Sequence, residues 1–279
     1  MNLTNYHSHT TFCDGHAPME EFVKEAIRQG FTSYGISSHA PLPFPTRWTM
    51  KKEDVTPYIE EFRQLKKEYK DKIELYIGLE IDYLDEYSNP SIDYFQNLSL
   101  DYRIGSVHLL SDDNGEVVDI DCCKESFKEK LETHFHNDIK ATVLVYFSKL
   151  MSMAELGGFD IVGHADKIAF NASFCQPDVT EQNWYKQTLR ELFAFISEKG
   201  YMMEINTKAY HKLGVFYPNE KSFSLIKEMH IPVLVNSDSH YPEFVNDGRT
   251  EALQALKAAG INTVMEMVSG KWQEIPILI

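Results

Sequence analysis

Two hydrophobic periods alternate along the chain. Short runs rich in β-branched and aromatic residues at 3–7, 33–37, 73–79, 102–107, 160–163, 201–205 and 232–235 read as strands, with a weaker eighth at 262–267. Between them, apolar positions at helical spacing predict helices over 18–29, 54–69, 127–156, 180–199, 219–229 and 248–259. Pro18 suits a first helical turn, and Gly30, Gly200 and Gly260 suit helix stops. Regular strand–helix alternation predicts an α/β protein with a mostly parallel sheet, open or closed into a barrel. No linker or low-complexity tract interrupts it, so residues 1–279 are expected to form one domain.

The polar residues at the ends of these strands carry the functional signal. The first strand ends in His7 and His9, the second in His39, the third in Glu80 and the fourth in His108. The fifth ends in His164, the sixth in Glu204 and Asn206, the seventh in Asp238 and His240. Parallel strands present their C-terminal ends to one face, so these side chains are expected to converge. Within His7-Ser8-His9 the period of two puts both imidazoles on one side, and Asp238-Ser239-His240 repeats the arrangement. Glu80 offers a carboxylate able to bridge two cations. Imidazole combined with carboxylate suits zinc, manganese or iron rather than calcium.

Composition narrows the partners. A formal charge of -15 disfavours nucleic acid, whereas a cluster of cations can still receive a small phosphorylated substrate. No run is apolar enough for a membrane span, and the first residues lack a signal core. Cys13, Cys122, Cys123 and Cys175 form no CxxC pair. These features together predict a cytoplasmic enzyme in a reducing compartment. His134 and His136 read as surface residues, and His230 closes a helix where the dipole favours a cation.

The segments HSHTTFCDGH, SSHAP, GLEIDY, GSVHLL, VGHADKI, EINTK and NSDSH run in order from residue 7 to residue 240. This set resembles the PHP (polymerase and histidinol phosphatase) family over nearly the whole chain. The resemblance implies a distorted parallel (β/α)7 barrel with three divalent cations at the C-terminal ends of the strands. By that pattern His7, His9, Glu80 and Asp238 hold one cation, and Glu80, His108 and His164 a second. His16, His39 and His240 hold the third, with Asp14 the alternative to His16 if the register differs by two. Zinc, manganese or iron are the implied metals.

Two close cations lower the pKa of a bridging water, which supplies hydroxide to attack phosphorus. Arg47, Lys167, Lys208 and Arg249, just beyond strand ends, are the candidate phosphate clamps. Asp166, then His211, are the candidates for protonating the leaving group. Acidic Glu204, Asp82 or Asp85 are candidates to meet a cationic substrate. Within the family, the Pro-rich SSHAPLPFP loop and the FYP segment most resemble free-standing members acting on histidinol phosphate. A nucleotide, oligonucleotide or phosphotyrosyl phosphoesterase is the second reading. A non-catalytic metal-binding module is the third, disfavoured because no ligand position is lost.

Overall fold

The computed structural model describes residues 3–278; Met1, Asn2 and Ile279, part of the one-domain expectation, lie outside the described residues. The first strands are β1 (Thr4–Asn5), β2 (Ser33–Ile36), β3 (Glu74–Ile77), β4 (Glu80–Asp82), β5 (Ile104–Ser106), β6 (Leu109–Ser111) and β7 (Val117–Asp119). They are followed by β8 (Ile161–Val162), β9 (Met202–Asn206), β10 (Val233–Asn236), β11 (Thr263–Val268) and β12 (Lys271–Pro276). The helices are α1 (Met19–Gln29), α2 (Val55–Glu68), α3 (Asp93–Gln96), α4 (Lys124–His134) and α5 (Ile139–Leu156). After them come α6 (Ile168–Cys175), α7 (Asn183–Lys199), α8 (Tyr210–Leu213), α9 (Phe223–Glu228) and α10 (Arg249–Ala258).

The fold is α/β with parallel sheets. One sheet has the order β1-β2-β3, the other β10-β9-β8-β5-β4, and every pairing within both is parallel. Single parallel bridges link the two sheets, Ser8 to Ser239 beyond the edge strands β1 and β10, and His39 beyond β2 to Glu80 of β4. At the first link the His9 N–H donates to the Ser239 carbonyl at 2.8 Å, and at the second the Ala40 N–H donates to the Glu80 carbonyl at 2.7 Å.

Helices cover the sheets because each carries an apolar stripe. α1 buries Met19, Phe22, Val23 and Ala26, the spacing of one helical face, and stops at Gly30 with φ 83°. α7 repeats this with Tyr185, Leu189, Leu192, Phe193 and Ile196, ending at left-handed Gly200. A separate apolar cluster draws Tyr6, Tyr76, Ile104, Ile161 and Leu234 from both sheets. Within it Tyr102 donates its hydroxyl to the Tyr6 carbonyl at 2.6 Å. Its ring lies against two glycines: a Cβ on Gly35 would sit 2.3 Å from its hydroxyl oxygen, and one on Gly78 2.5 Å from its ring carbon Cε2. Among the described residues no helix is long and apolar enough to cross a membrane.

Three expectations change. The helix predicted over 127–156 is two helices, α4 and α5. His136 and Asn137 between them take left-handed φ of 53° and 56°, and Asp138 caps α5 by accepting from the Ala141 N–H. The third strand is interrupted at Gly78 and Leu79, so β3 pairs with β2 while β4 pairs with β5. The eighth run, β11, pairs antiparallel with β12 rather than joining the parallel strands. The hairpin of β6 and β7 and helix α6 have no counterpart in the sequence reading.

Candidate metal centre

The candidate ligand residues of the strands follow the C-terminal ends of β1, β2, β5, β8 and β10, with Glu80 opening β4. They converge on Glu80, which is buried. Its Oε2 faces His39 Nδ1 at 2.9 Å, His7 Nε2 at 3.2 Å and His9 Nε2 at 3.6 Å. Its Oε1 faces His164 Nε2 at 2.9 Å and His108 Nε2 at 3.5 Å. One carboxylate thus separates two groups of imidazoles, one on each oxygen. Asp238 Oδ1 lies 3.1 Å from His9 Nε2 and 3.5 Å from His240 Nδ1. His164 and Asp238 both sit at positive φ, 23° and 47°, a conformation uncommon for residues with a side chain.

A third group forms around Asp14. Its Oδ1 lies 3.4 Å from His240 Nε2, 3.9 Å from His39 Nε2 and 4.0 Å from His9 Nδ1. His16 is outside it: its ring stacks on Tyr241 at 4.1 Å and 10°, while its N–H donates to the His240 carbonyl. The HTTFCDGH loop turns so that Asp14, two residues earlier, takes the place expected of His16.

Buried carboxylates orient the imidazoles from behind. Glu204 Oε1 accepts from His7 Nδ1 at 2.6 Å and from Asn236 Nδ2 at 2.9 Å. Its Oε2 accepts from the His164 N–H and from Asn206 Nδ2, both at 3.0 Å. Burial opposes its ionisation, but His7 and its hydrogen bond hold the carboxyl below the usual range. Asp82 stands behind His108, with Nδ1 3.0 Å from its Oδ1. Such partners fix the tautomer and turn the other ring nitrogen outward as a lone pair. Ser106 donates to Glu80 Oε1 at 2.7 Å.

This donor set fits cations. His7 Nε2, His9 Nε2, His39 Nδ1 and Asp14 Oδ1 are buried without a hydrogen-bond partner, although each faces another electron-rich atom. Burial and the neighbours His240 and His39 push His9 well below the ordinary imidazole pKa, which keeps its ring neutral and able to ligate. Such lone pairs gathered in a buried site call for positive charge between them. At this centre, among the described residues, three groupings bring ligand atoms within 4.8 Å of one another: His7, His9 and Glu80; His39, Glu80 and His108; and His9, Asp14, His39 and His240.

The basic residues divide. Lys208 Nζ lies 3.2 Å from Asp238 Oδ1 and 3.4 Å from His240 Nε2, at the rim of the cluster. Lys167 pairs with Asp121 at 2.5 Å; burial disfavours its ammonium, but Asp121 and Asp238 hold its pKa above the ordinary lysine value. Arg47 is exposed beside Trp48, whose ring meets His39 edge-on at 4.7 Å. Arg249 is not a clamp: its buried guanidinium donates to the Val235 carbonyl at 2.7 Å and to Thr4 Oγ1 at 2.9 Å, tying α10 to the sheets.

The expected proton donors also lie elsewhere. Asp166 Oδ2 accepts from the Asn219 N–H at 3.0 Å, and burial, partly opposed by that bond, pushes the carboxyl up to about 7. It lines a cavity to which no metal-facing side chain contributes. His211 is exposed on α8, 3.8 Å from Asp247. Glu204 and Asp82 are occupied behind the imidazoles, and Asp85 accepts from the Tyr87 and Ser88 N–H groups in a turn.

The sequence profile of the PHP domain matches residues 5–208, and that of the PHP-associated region matches residues 216–260. The chain belongs to the PHP family. Among its relatives is a probable histidinol-phosphatase of Schizosaccharomyces pombe, 27% identical over 284 residues, covering 95% of this chain and 89% of the relative. The histidinol-phosphatase of Bacillus subtilis is 28% identical over 261 residues, covering 86% of this chain and 94% of its own. A candidate histidinol phosphatase from Listeria monocytogenes superposes with a TM-score of 0.81 at 26% identity, over 89% of this chain and 99% of its own. The fold alone is shared with a Lactococcus lactis histidinol phosphate phosphatase solved with zinc, L-histidinol and phosphate. That superposition has a TM-score of 0.67 at 20% identity and covers 97% of this chain and 98% of the other.

Proposed function

We propose that this PHP protein is a metal-dependent phosphomonoesterase that hydrolyses L-histidinol phosphate to L-histidinol and phosphate, a step of histidine biosynthesis in the cytoplasm. The observation that carries this reading is Glu80, with imidazoles gathered on each of its oxygens, in a chain that matches histidinol phosphatases along most of its length. We read the whole chain as one distorted β/α barrel, a reading supported by the Ser8–Ser239 and His39–Glu80 bridges between the two sheets. The ligand set is His7, His9, Asp14, His39, Glu80, His108, His164, Asp238 and His240, arranged for three divalent cations of the zinc, manganese or iron type.

When bound, such cations supply Lewis acidity and make water nucleophilic near neutral pH. The chain's own residues do the rest. Glu204 and Asp82 hold His7 and His108 in the ligating tautomer. Lys208 and Lys167 place positive charge where phosphoryl oxygens arrive, each restrained by a carboxylate partner. Arg47 and Trp48 form the rim on the His39 side.

The test is phosphate release by the manganese-loaded protein from histidinol phosphate and a panel of other esters. We expect kcat/KM for histidinol phosphate at least about a hundredfold above that for aryl phosphates, roughly 2.7 kcal/mol of transition-state discrimination. Equal rates on all monoesters, or preference for diesters or oligonucleotides, would sink the substrate assignment and leave the metal hydrolase standing.

A further inference from the structure

Outside the metal centre, a cavity of about 540 Å³ is bounded by α6, α7 and residues 215–225. That volume lies in the range of small-molecule pockets, roughly 300–1,000 Å³. Its walls are largely apolar, with Phe170, Leu189, Phe216 and Leu225 among them. Among the polar residues that share this lining, two are buried with an unpartnered atom. Asp166 and Tyr185 are each 2% exposed, yet Asp166 Oδ1 and the Tyr185 hydroxyl have no hydrogen-bond partner. An unsatisfied carboxyl oxygen and phenol in one apolar cavity are costly to bury, and both are relieved by a ligand bearing N–H donors. The rim carries Lys186 and Lys221, which share the single carboxylate of Glu181 as their ion-pair partner.

We propose that this cavity is a ligand site separate from the metal centre, for a small primary amine with an apolar, ring-sized body. The ammonium donates to Asp166 Oδ1 and the Tyr185 hydroxyl, and the body packs against Phe170, Leu189 and Phe216. Occupancy bears on the metal centre through the chain. Asp166 lies between His164 and Lys167, and its other oxygen holds the Asn219 N–H at the start of the segment leading into α9.

The experiment is calorimetric titration of the manganese-loaded full chain with phenethylamine, in saturating inorganic phosphate so that the metal centre is filled. Phenethyl alcohol serves as the neutral control. One saturable site is expected, with the alcohol weaker by at least about tenfold because it lacks the charged donor. Asp166→Asn keeps an acceptor for the Asn219 N–H but removes the charge, and should cost the amine a similar factor while leaving the alcohol unchanged. Ser173→Phe, which fills the cavity from α6, should abolish binding of both, and Tyr185→Phe should weaken the amine even if Asp166→Asn fails to fold. No saturable binding, equal affinity for amine and alcohol, or affinity unchanged by Ser173→Phe and Tyr185→Phe would each overturn the proposal.

Discussion

Glu204→Gln is the substitution that most directly tests how the imidazoles are held. The carboxylate is fully buried and accepts four donors: His7 Nδ1 and Asn236 Nδ2 on one oxygen, the His164 N–H and Asn206 Nδ2 on the other. Glutamine keeps the shape but must turn an NH2 group toward one of those pairs. Facing the backbone N–H and Asn206, it would oppose two fixed donors. Facing His7 is cheaper, because the imidazole can change tautomer and accept at Nδ1. Asn236 then loses its acceptor, at a stability cost of about 1–3 kcal/mol. The proton moved to His7 Nε2 also removes the lone pair now aimed at Glu80. Losing such an orienting partner typically lowers metal affinity by about 10–100-fold, or roughly 1.4–2.7 kcal/mol. The assay is a manganese titration of chelator-stripped protein, followed by elemental analysis and phosphate release, with circular dichroism to verify folding. We expect the titration midpoint to move up by that factor and excess manganese to recover much of the rate. A native midpoint with native metal content would refute the reasoning. Lost activity at unchanged metal affinity would instead return Glu204 to the role of a substrate contact.

Asp14→Asn should lower the metal equivalents retained after dialysis, whereas His16→Ala should leave metal content and rate within a few-fold; the opposite result would restore His16 to the site. Lys208→Ala should reduce kcat/KM by roughly ten- to a hundredfold, the worth of one charged hydrogen bond, without changing the melting curve. Arg249→Ala should cost stability of about 3–5 kcal/mol, read by urea unfolding, and leave turnover intact at temperatures where the variant is folded. A kinetic defect at native stability would make Arg249 a substrate contact after all.

The convergence of the candidate ligands was legible because strands enforce a simple geometry. His7 and His9, or Asp238 and His240, two residues apart at a strand's end, have few ways to point except together. The same rule makes Asp82 visible beside Glu80, two residues on in the same strand, although only the structure assigns it to His108. Loops carry no such period, which is why Asp14 and His16 could not be separated beforehand. The break between α4 and α5 was written in Asn137-Asp138, a turn and cap pair hidden inside a continuous apolar pattern. Asp121 and Trp48 gave no local signal. They reach Lys167, His108 and His39 through the β6–β7 hairpin and a long loop. Arg249 misled for a related reason: a charge just past a strand end reads the same whether it turns toward the cluster or into the core.

The contact of Tyr102 with Gly35 and Gly78 bears on descent as well as on packing. A methyl at either glycine would overlap the tyrosine ring or its hydroxyl, so neither position can drift while the ring remains. Exchanging Tyr102 for a small residue would leave a void between the strands and the Tyr6 carbonyl without its donor. Mutations at the three sites are therefore tolerated in combination and purged singly. Across a deep alignment of relatives, positions 35, 78 and 102 should change hands as a set, with larger residues at the first two accompanying a smaller one at the third.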